Sequence, residues 1–184
     1  MMDQSKTNIV LTGFMGVGKT AVGKYLAQLL QMEFIDTDQL IEESVMKIPD
    51  IFRLYGEERF RREEMLAVKK AAASSNCVIA TGGGVVLNPQ NMKRLRCKGW
   101  IVLLTARPEV IAERLKGGET RPLLQQADDK IKLIRELLEA REKYYRNCDI
   151  VIDTSDLSVS QVADEIIRQL GISAAGKRQD PSSG

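Results

Sequence analysis

The chain has 184 residues, enough for one domain with its own core. Its 43% hydrophobic and 28% charged residues are an ordinary globular balance, and a net charge of +2 is too small for nucleic-acid binding by bulk electrostatics. No apolar run approaches the roughly 20 residues that span a bilayer, and the polar start, Met1 to Thr7, lacks the apolar stretch of an export signal.

The first predicted element is the apolar run Ile9-Val10-Leu11. It leads into Gly13-Phe14-Met15-Gly16-Val17-Gly18-Lys19-Thr20, which matches the phosphate-binding pattern G-x-x-x-x-G-K-[ST]. A phosphate needs many donors converging at short range. Glycines let the backbone curl so that the N–H groups of Gly16, Val17, Gly18, Lys19 and Thr20 point inward, and the start of the next helix adds partial positive charge. Lys19 is placed to reach the β- and γ-phosphates of ATP, and the Thr20 hydroxyl to ligate Mg²⁺. The alternative is a glycine-rich turn with an incidental lysine, which eight residues in register argue against. Val22, Leu26, Leu29 and Leu30 then mark one face of a helix.

A second apolar pair, Phe34-Ile35, ends in Asp36-Thr37-Asp38. In extended chain, residues two apart point to the same side, so both carboxylates are expected to face the crevice at the carboxyl ends of the strands. One carboxylate can hold Mg²⁺. The other can orient a hydroxyl or take its proton. The chain has no histidine, which removes the commonest general base and leaves such work to carboxylates. The competing reading is that Thr37 or Asp38 caps the following helix.

Gly56 to Glu64 is a run of charges that would ordinarily be a solvated helix face. Arg61, however, is three residues before Glu64, which can hold its guanidinium ready for a carboxylate. Phe60, Ala67 and Ala71 share one face of that helix. The run Cys77 to Ala80 is a third strand, followed by Thr81 and Gly82-Gly83-Gly84, where a backbone can approach a ligand closely. Cys77, Cys97 and Cys148 have no metal-ligand spacing and read as reduced thiols of a cytoplasmic protein.

Ile101 to Leu104 is a fourth strand. Arg114 to Leu124 carries a Gly-Gly hinge between basic residues and reads as a mobile lid that can bring an arginine onto a transferring phosphoryl group. From about Asp128 to Arg146 a helix carries the stripe Ile134, Leu138, Arg141, Tyr145, which sets an arginine among apolar positions. Arg141 there either snorkels outward or faces a ligand anion. Ile150 to Ile152 is the fifth strand. Ser158 with Gln161 forms a capping box for a last helix bearing Val162, Ile166 and Leu170. The small and polar segment 173–184 is expected to be a disordered tail.

The five apolar runs do not alternate polar and apolar, and helical segments separate them. That pattern predicts an α/β fold with a central five-stranded parallel sheet covered by helices on both faces.

In this order and spacing the motifs resemble the shikimate kinase family, within the nucleoside-monophosphate-kinase-like P-loop enzymes. The resemblance runs from about Asn8 to Leu170. It rests on the phosphate loop, the Asp-x-Asp pair, Ile51-Phe52 with Gly56-Glu57 and Phe60-Arg61-x-x-Glu64, the triple glycine, Thr120-Arg121-Pro122-Leu123-Leu124, and Arg141-x-x-x-Tyr145. It implies a three-layer P-loop kinase fold in one domain, 1–172, with a substrate-binding subdomain at about 37–65 and a lid at about 114–125. It implies phosphoryl transfer from ATP to the 3-hydroxyl of shikimate in aromatic amino-acid synthesis. Asp38 would bind the reacting hydroxyl, Arg61 and Arg141 the carboxylate, and Gly82, Gly83 and Gly84 would lie against the acceptor, Gly83 through its backbone. Arg121 would sit on the phosphates, Arg114 near the adenine, and Phe52 and Phe60 would wall the acceptor site. Lys19, Arg121 and Mg²⁺ on Thr20 and Asp36 would then neutralise the γ-phosphoryl group. A cytoplasmic monomer with no nucleic-acid or membrane partner is expected. The rival readings are another kinase of the same fold, acting on gluconate or a nucleotide, and a nucleotide-dependent switch, against which the lack of an Asn-Lys-x-Asp motif counts.

Overall fold

The computed structural model describes residues 6–116 and 129–172. Five strands form one parallel sheet: β1 (Asn8–Thr12), β2 (Glu33–Asp36), β3 (Cys77–Ala80), β4 (Gly99–Thr105) and β5 (Ile150–Asp153), in the order β2-β3-β1-β4-β5. The register pairs Val10 with Ile79 on one side and with Ile101 on the other. All five apolar runs of the sequence became strands. The central three are buried along nearly their whole length, whereas the edge strands β2 and β5 are half-exposed.

Seven described helices surround the sheet: α1 (Lys19–Leu30), α2 (Thr37–Ser44), α3 (Ile48–Ala73), α4 (Pro89–Lys98), α5 (Pro108–Arg114), α6 (Lys130–Tyr145) and α7 (Val159–Leu170). Strand side chains alternate between the two faces. Ile9 and Leu11 therefore join Val22 and Leu26 of α1 and Val162, Ala163 and Ile166 of α7 in one apolar layer. Val10, Ile79 and Ile101 join Val68 of α3 and Met92 and Leu95 of α4 in the other. Each fully buried Leu or Ile contributes about 1.5–3 kcal/mol, so these two layers are what fixes the sheet. The expected capping box is present: Ser158 Oγ accepts from Gln161 N–H at 3.2 Å, and Gln161 Oε1 accepts from Ser158 N–H at 2.9 Å.

A third, smaller cluster gathers Ile41, Ile48, Ile51, Phe60 and Ala67 from α2 and α3. It lies off the sheet and orients α3 over the acidic turn. Gly56 interrupts α3 with φ 78 and ψ 179, so its two halves point differently and bring the Phe52 and Phe60 rings to 4.7 Å.

Two of the sequence expectations fall outside the described residues: the tail 173–184, and the greater part of the lid, 117–125, including Arg121.

Candidate active site

The strand order reverses at β1, which has β3 on one side and β4 on the other. Open α/β sheets hold their ligands at such a switch point, beyond the carboxyl ends of the strands. Here that position is a cleft of about 610 Å³ lined by Gly16, Lys19, Thr20, Asp36, Asp38, Gly83 and Arg114, among others.

The phosphate-binding loop forms its floor. Gly13 has φ 135, and a methyl group there would overlap the Leu104 carbonyl, so neither its backbone angle nor its space admits a side chain. Gly18 caps α1 without any side-chain hydrogen bond, which leaves the first N–H groups of that helix for an anion. Lys19 Nζ folds back over the loop, donating to Gly13 O at 2.8 Å and Phe14 O at 2.7 Å. Val17 turns its side chain into the core, so only its backbone can serve a ligand.

The acidic turn differs from the expectation. The chain is not extended through Asp38, because α2 begins at Thr37. Neither Thr37 nor Asp38 is the cap. Asp36 is, with Oδ1 accepting from Asp38 N–H at 3.0 Å and Gln39 N–H at 3.3 Å. Its other oxygen, Oδ2, accepts from Thr20 Oγ1 at 2.8 Å. One carboxylate thus ends β2, starts α2 and meets the phosphate loop. These paired hard oxygens at the mouth of the loop suit Mg²⁺, which takes one or two protein oxygens when phosphates supply the rest. Among the described residues no group of three or more carboxylates or thiols forms a separate metal cage.

The triple glycine packs where three elements converge. A methyl group on Gly82 would overlap the Asp38 carboxylate and come within 3.4 Å of Glu64 Oε1, one on Gly83 would touch Met15 N at 3.3 Å, and one on Gly84 would overlap the Arg61 guanidinium. Thr37, fully buried, accepts from Gly82 N–H at 3.0 Å through Oγ1. Tyr145 Oη donates to Gly83 O at 3.3 Å. The segment therefore brings Asp38, Arg61 and the phosphate loop side by side.

The two arginines are held differently. Arg61 Nη1 donates to both oxygens of buried Glu64, as its spacing suggests, at 3.2 and 3.0 Å. Its Nε and Nη2 donate to Glu57 Oε1 at 3.2 and 2.9 Å. Burial alone would lower the Arg61 pKa, but the charges of Glu64 and Glu57 and their hydrogen bonds outweigh it and push it up. Arg141 is half-buried with its guanidinium carbon 5.5 Å from the Phe14 ring centre, on the phosphate loop. Among the described residues it forms no ion pair. The stripe of α6 thus snorkels neither freely nor far: Arg141 stacks toward the loop while Tyr145, one turn on, bonds the triple glycine.

Arg114 ends α5 and is tied to the core. It donates to Thr154 Oγ1 at 2.9 Å and Thr154 O at 2.7 Å, with Nη1 also 3.5 Å from Gly16 O. Thr154 in turn donates to Val17 O at 3.0 Å. Thr37, Glu57 and Thr154 were not singled out as site residues from the sequence. Glu57 had a legible signal, four residues before Arg61. Thr37 and Thr154 act through buried hydroxyls and carry none.

A five-stranded parallel sheet in this order, with a phosphate loop after β1 and an acidic turn after β2, defines a P-loop phosphotransferase. A family model described as shikimate kinase matches residues 15–171. A shikimate kinase of Caldanaerobacter subterraneus subsp. tengcongensis is 55% identical over 162 residues, 88% of this chain and 94% of that one. One of Geobacter sulfurreducens is 47% identical over 86% of this chain and 88% of its own. A shikimate kinase from Acinetobacter baumannii, solved in complex with shikimate, superposes with a TM-score of 0.85 at 34% identity, covering 91% of this chain and 94% of that one. A gluconokinase from Sinorhizobium meliloti, at 18% identity and a TM-score of 0.57 over 91% and 93% of the two chains, shares the fold alone. The chain belongs to the shikimate kinase family.

Proposed function

We propose that this chain transfers the γ-phosphoryl group of ATP to the 3-hydroxyl of shikimate, with Asp38 aligning that hydroxyl and Arg61 and Arg141 receiving the acceptor carboxylate. The observation that carries this reading is the contact of the triple glycine with Asp38, Arg61 and the phosphate loop at once. It supports the reading because a carboxylate and a guanidinium meet beside the phosphate loop, as a hydroxyl acceptor that carries a carboxylate would require.

Phosphoryl transfer asks little covalent chemistry of a protein and much positioning and charge neutralisation. In this reading Lys19 leaves its two backbone carbonyls for the phosphate oxygens. Thr20 and Asp36 would hold Mg²⁺, which would supply charge neutralisation to the phosphates when bound. Arg114, fixed by Thr154, flanks the adenine end. Arg121 is assigned to the phosphates by the resemblance only. The three cysteines are free thiols, as a reducing compartment would keep them, and none of the described helices is long and apolar enough to cross a membrane.

The test is ADP release coupled to NADH oxidation, with shikimate, gluconate and nucleoside monophosphates as acceptors. The expected result is turnover dependent on shikimate and on Mg²⁺. Absence of shikimate-dependent ADP release at millimolar acceptor, or faster turnover of gluconate, overturns the reading. Asp38→Asn is expected to lower kcat by about 10²-fold or more while leaving the thermal midpoint close to that of the parent.

A further inference from the structure

A guanidinium has five N–H donors. On Arg61 four hydrogen bonds already run to two glutamates: Nε at 3.2 Å and Nη2 at 2.9 Å to Glu57 Oε1, and Nη1 at 3.2 and 3.0 Å to the two oxygens of Glu64. Bidentate recognition of a ligand carboxylate needs two parallel N–H groups. Each side of the guanidinium already faces a glutamate, Glu57 on the parallel Nε/Nη2 edge and Glu64 at Nη1, so a docking carboxylate competes with one of them.

The two differ in what release entails. The Glu64 side chain is 1% exposed, and that of Glu57 is 66% exposed. Freeing Glu64 would leave a carboxylate buried without its counter-charge, which is strongly unfavourable. Glu57 would move into water. It is also the first residue after the Gly56 interruption of α3, the end of a helical segment where a carboxylate remains favoured.

We propose that Glu57 is an internal placeholder anion: it occupies the Nε/Nη2 edge of Arg61 and is displaced by the acceptor's carboxylate, so that Glu57 tunes acceptor affinity. The proposal rests on Arg61 being the partner of that carboxylate. Docking then exchanges one carboxylate for another, and only the difference between the two appears as affinity. Glu64 stays in place and keeps the guanidinium aimed at Gly84.

The experiment is steady-state kinetics with shikimate for the full chain and for Glu57→Gln, Glu57→Asp and Arg61→Lys, with thermal midpoints to verify folding. Loss of an exposed ion pair corresponds to about a two- to five-fold change in an equilibrium constant. Glu57→Gln is expected to lower KM for shikimate by that factor. Glu57→Asp keeps the charge but is one methylene too short for the same contact, and is expected to lower KM as well. A KM that rises or stays level in Glu57→Gln overturns the placeholder and makes Glu57 an aid to Arg61 or a bystander. A KM lowered by Gln but not by Asp overturns it too, in favour of long-range charge. A normal shikimate KM in Arg61→Lys instead removes the assignment of Arg61 beneath the proposal.

Discussion

Thr37 Oγ1 accepts the Gly82 N–H at 3.0 Å, and this one hydrogen bond joins the acidic turn after β2 to the triple glycine after β3. Thr37 has no exposed surface and lies between Asp36, which caps α2, and Asp38. It therefore sets the distance between Asp38 and the glycine backbone beside it.

Thr37→Val keeps the shape and removes the acceptor, leaving a buried N–H without its partner. The expected loss is about 1–3 kcal/mol, seen as a thermal midpoint several degrees lower, together with a reduced kcat/KM for shikimate. Thr37→Ser keeps the acceptor and should restore most of both. Equal damage from Ser and Val would show that the methyl group, not the hydroxyl, matters.

Gly84 tests the same junction from the other side. The atoms a methyl group would strike there belong to the end of the flexible Arg61 side chain, not to backbone. Gly84→Ala should therefore fold, yet push Arg61 off its seat. On the proposal that Arg61 holds the acceptor's carboxylate, its displacement removes those charge-assisted hydrogen bonds, and KM for shikimate is expected to rise about 10- to 100-fold, with KM for ATP little changed. A parallel rise in both constants would mean that the glycine segment moved as a whole and disturbed the phosphate loop.

Much of this was legible in the sequence because period and punctuation carried it. All five apolar runs became parallel strands, and the capping box at Ser158 formed as its spacing demands. The phosphate-binding pattern landed between β1 and α1. The acidic pair shows where such reading stops. Both carboxylates do line the cleft, as alternation in a strand predicts, but by another route: Asp36 ends β2 and caps α2, so Asp38 is held by a helix and not by a strand. Nothing local distinguishes Asp-Thr-Asp continuing a strand from Asp-Thr-Asp starting a helix. The packing of Gly84 on Arg61, and of Arg141 over Phe14, depends on segments far apart in the chain, for which composition and period give no signal.

Gly56 offers a test of shape without crowding. Its φ of 78 with ψ of 179 lies in a region that only glycine populates freely, although a methyl group there would meet nothing within 4 Å. Gly56→Ala is expected to cost about 1–3 kcal/mol from backbone strain alone. If α3 relieves that strain by straightening, Phe52 leaves Phe60 and Arg61 is aimed elsewhere. Shikimate KM should then rise, while the nucleotide site, which shares no residue with α3 beyond the cleft wall at Ile48 and Pro49, is spared. A variant with lowered stability and unaltered KM would show that the kink is structural only.

Glu42 makes a pH-dependent link between α2 and α3. Its carboxylate accepts from Lys47 Nζ at 2.8 Å and from Ile48 N–H at 3.2 Å, closing the connection between the helix that bears Asp38 and the helix that bears Arg61. Burial would raise its pKa, but the Lys47 hydrogen bond, the Ile48 N–H and the Lys47 charge outweigh it and hold the group below its ordinary 4.5. A carboxyl lowered in the folded state contributes stability that is fully present above its unfolded value and is lost as pH falls through the folded one. The parent should therefore be more stable than Glu42→Gln at pH 6, and the difference in thermal midpoint should shrink as pH is lowered from about 5 toward 3. Gln can still accept the Ile48 N–H, so what vanishes with acid is the part owed to charge. A gap between the two proteins that stays constant across that range would mean that Glu42 acts by shape and the ion pair with Lys47 contributes nothing.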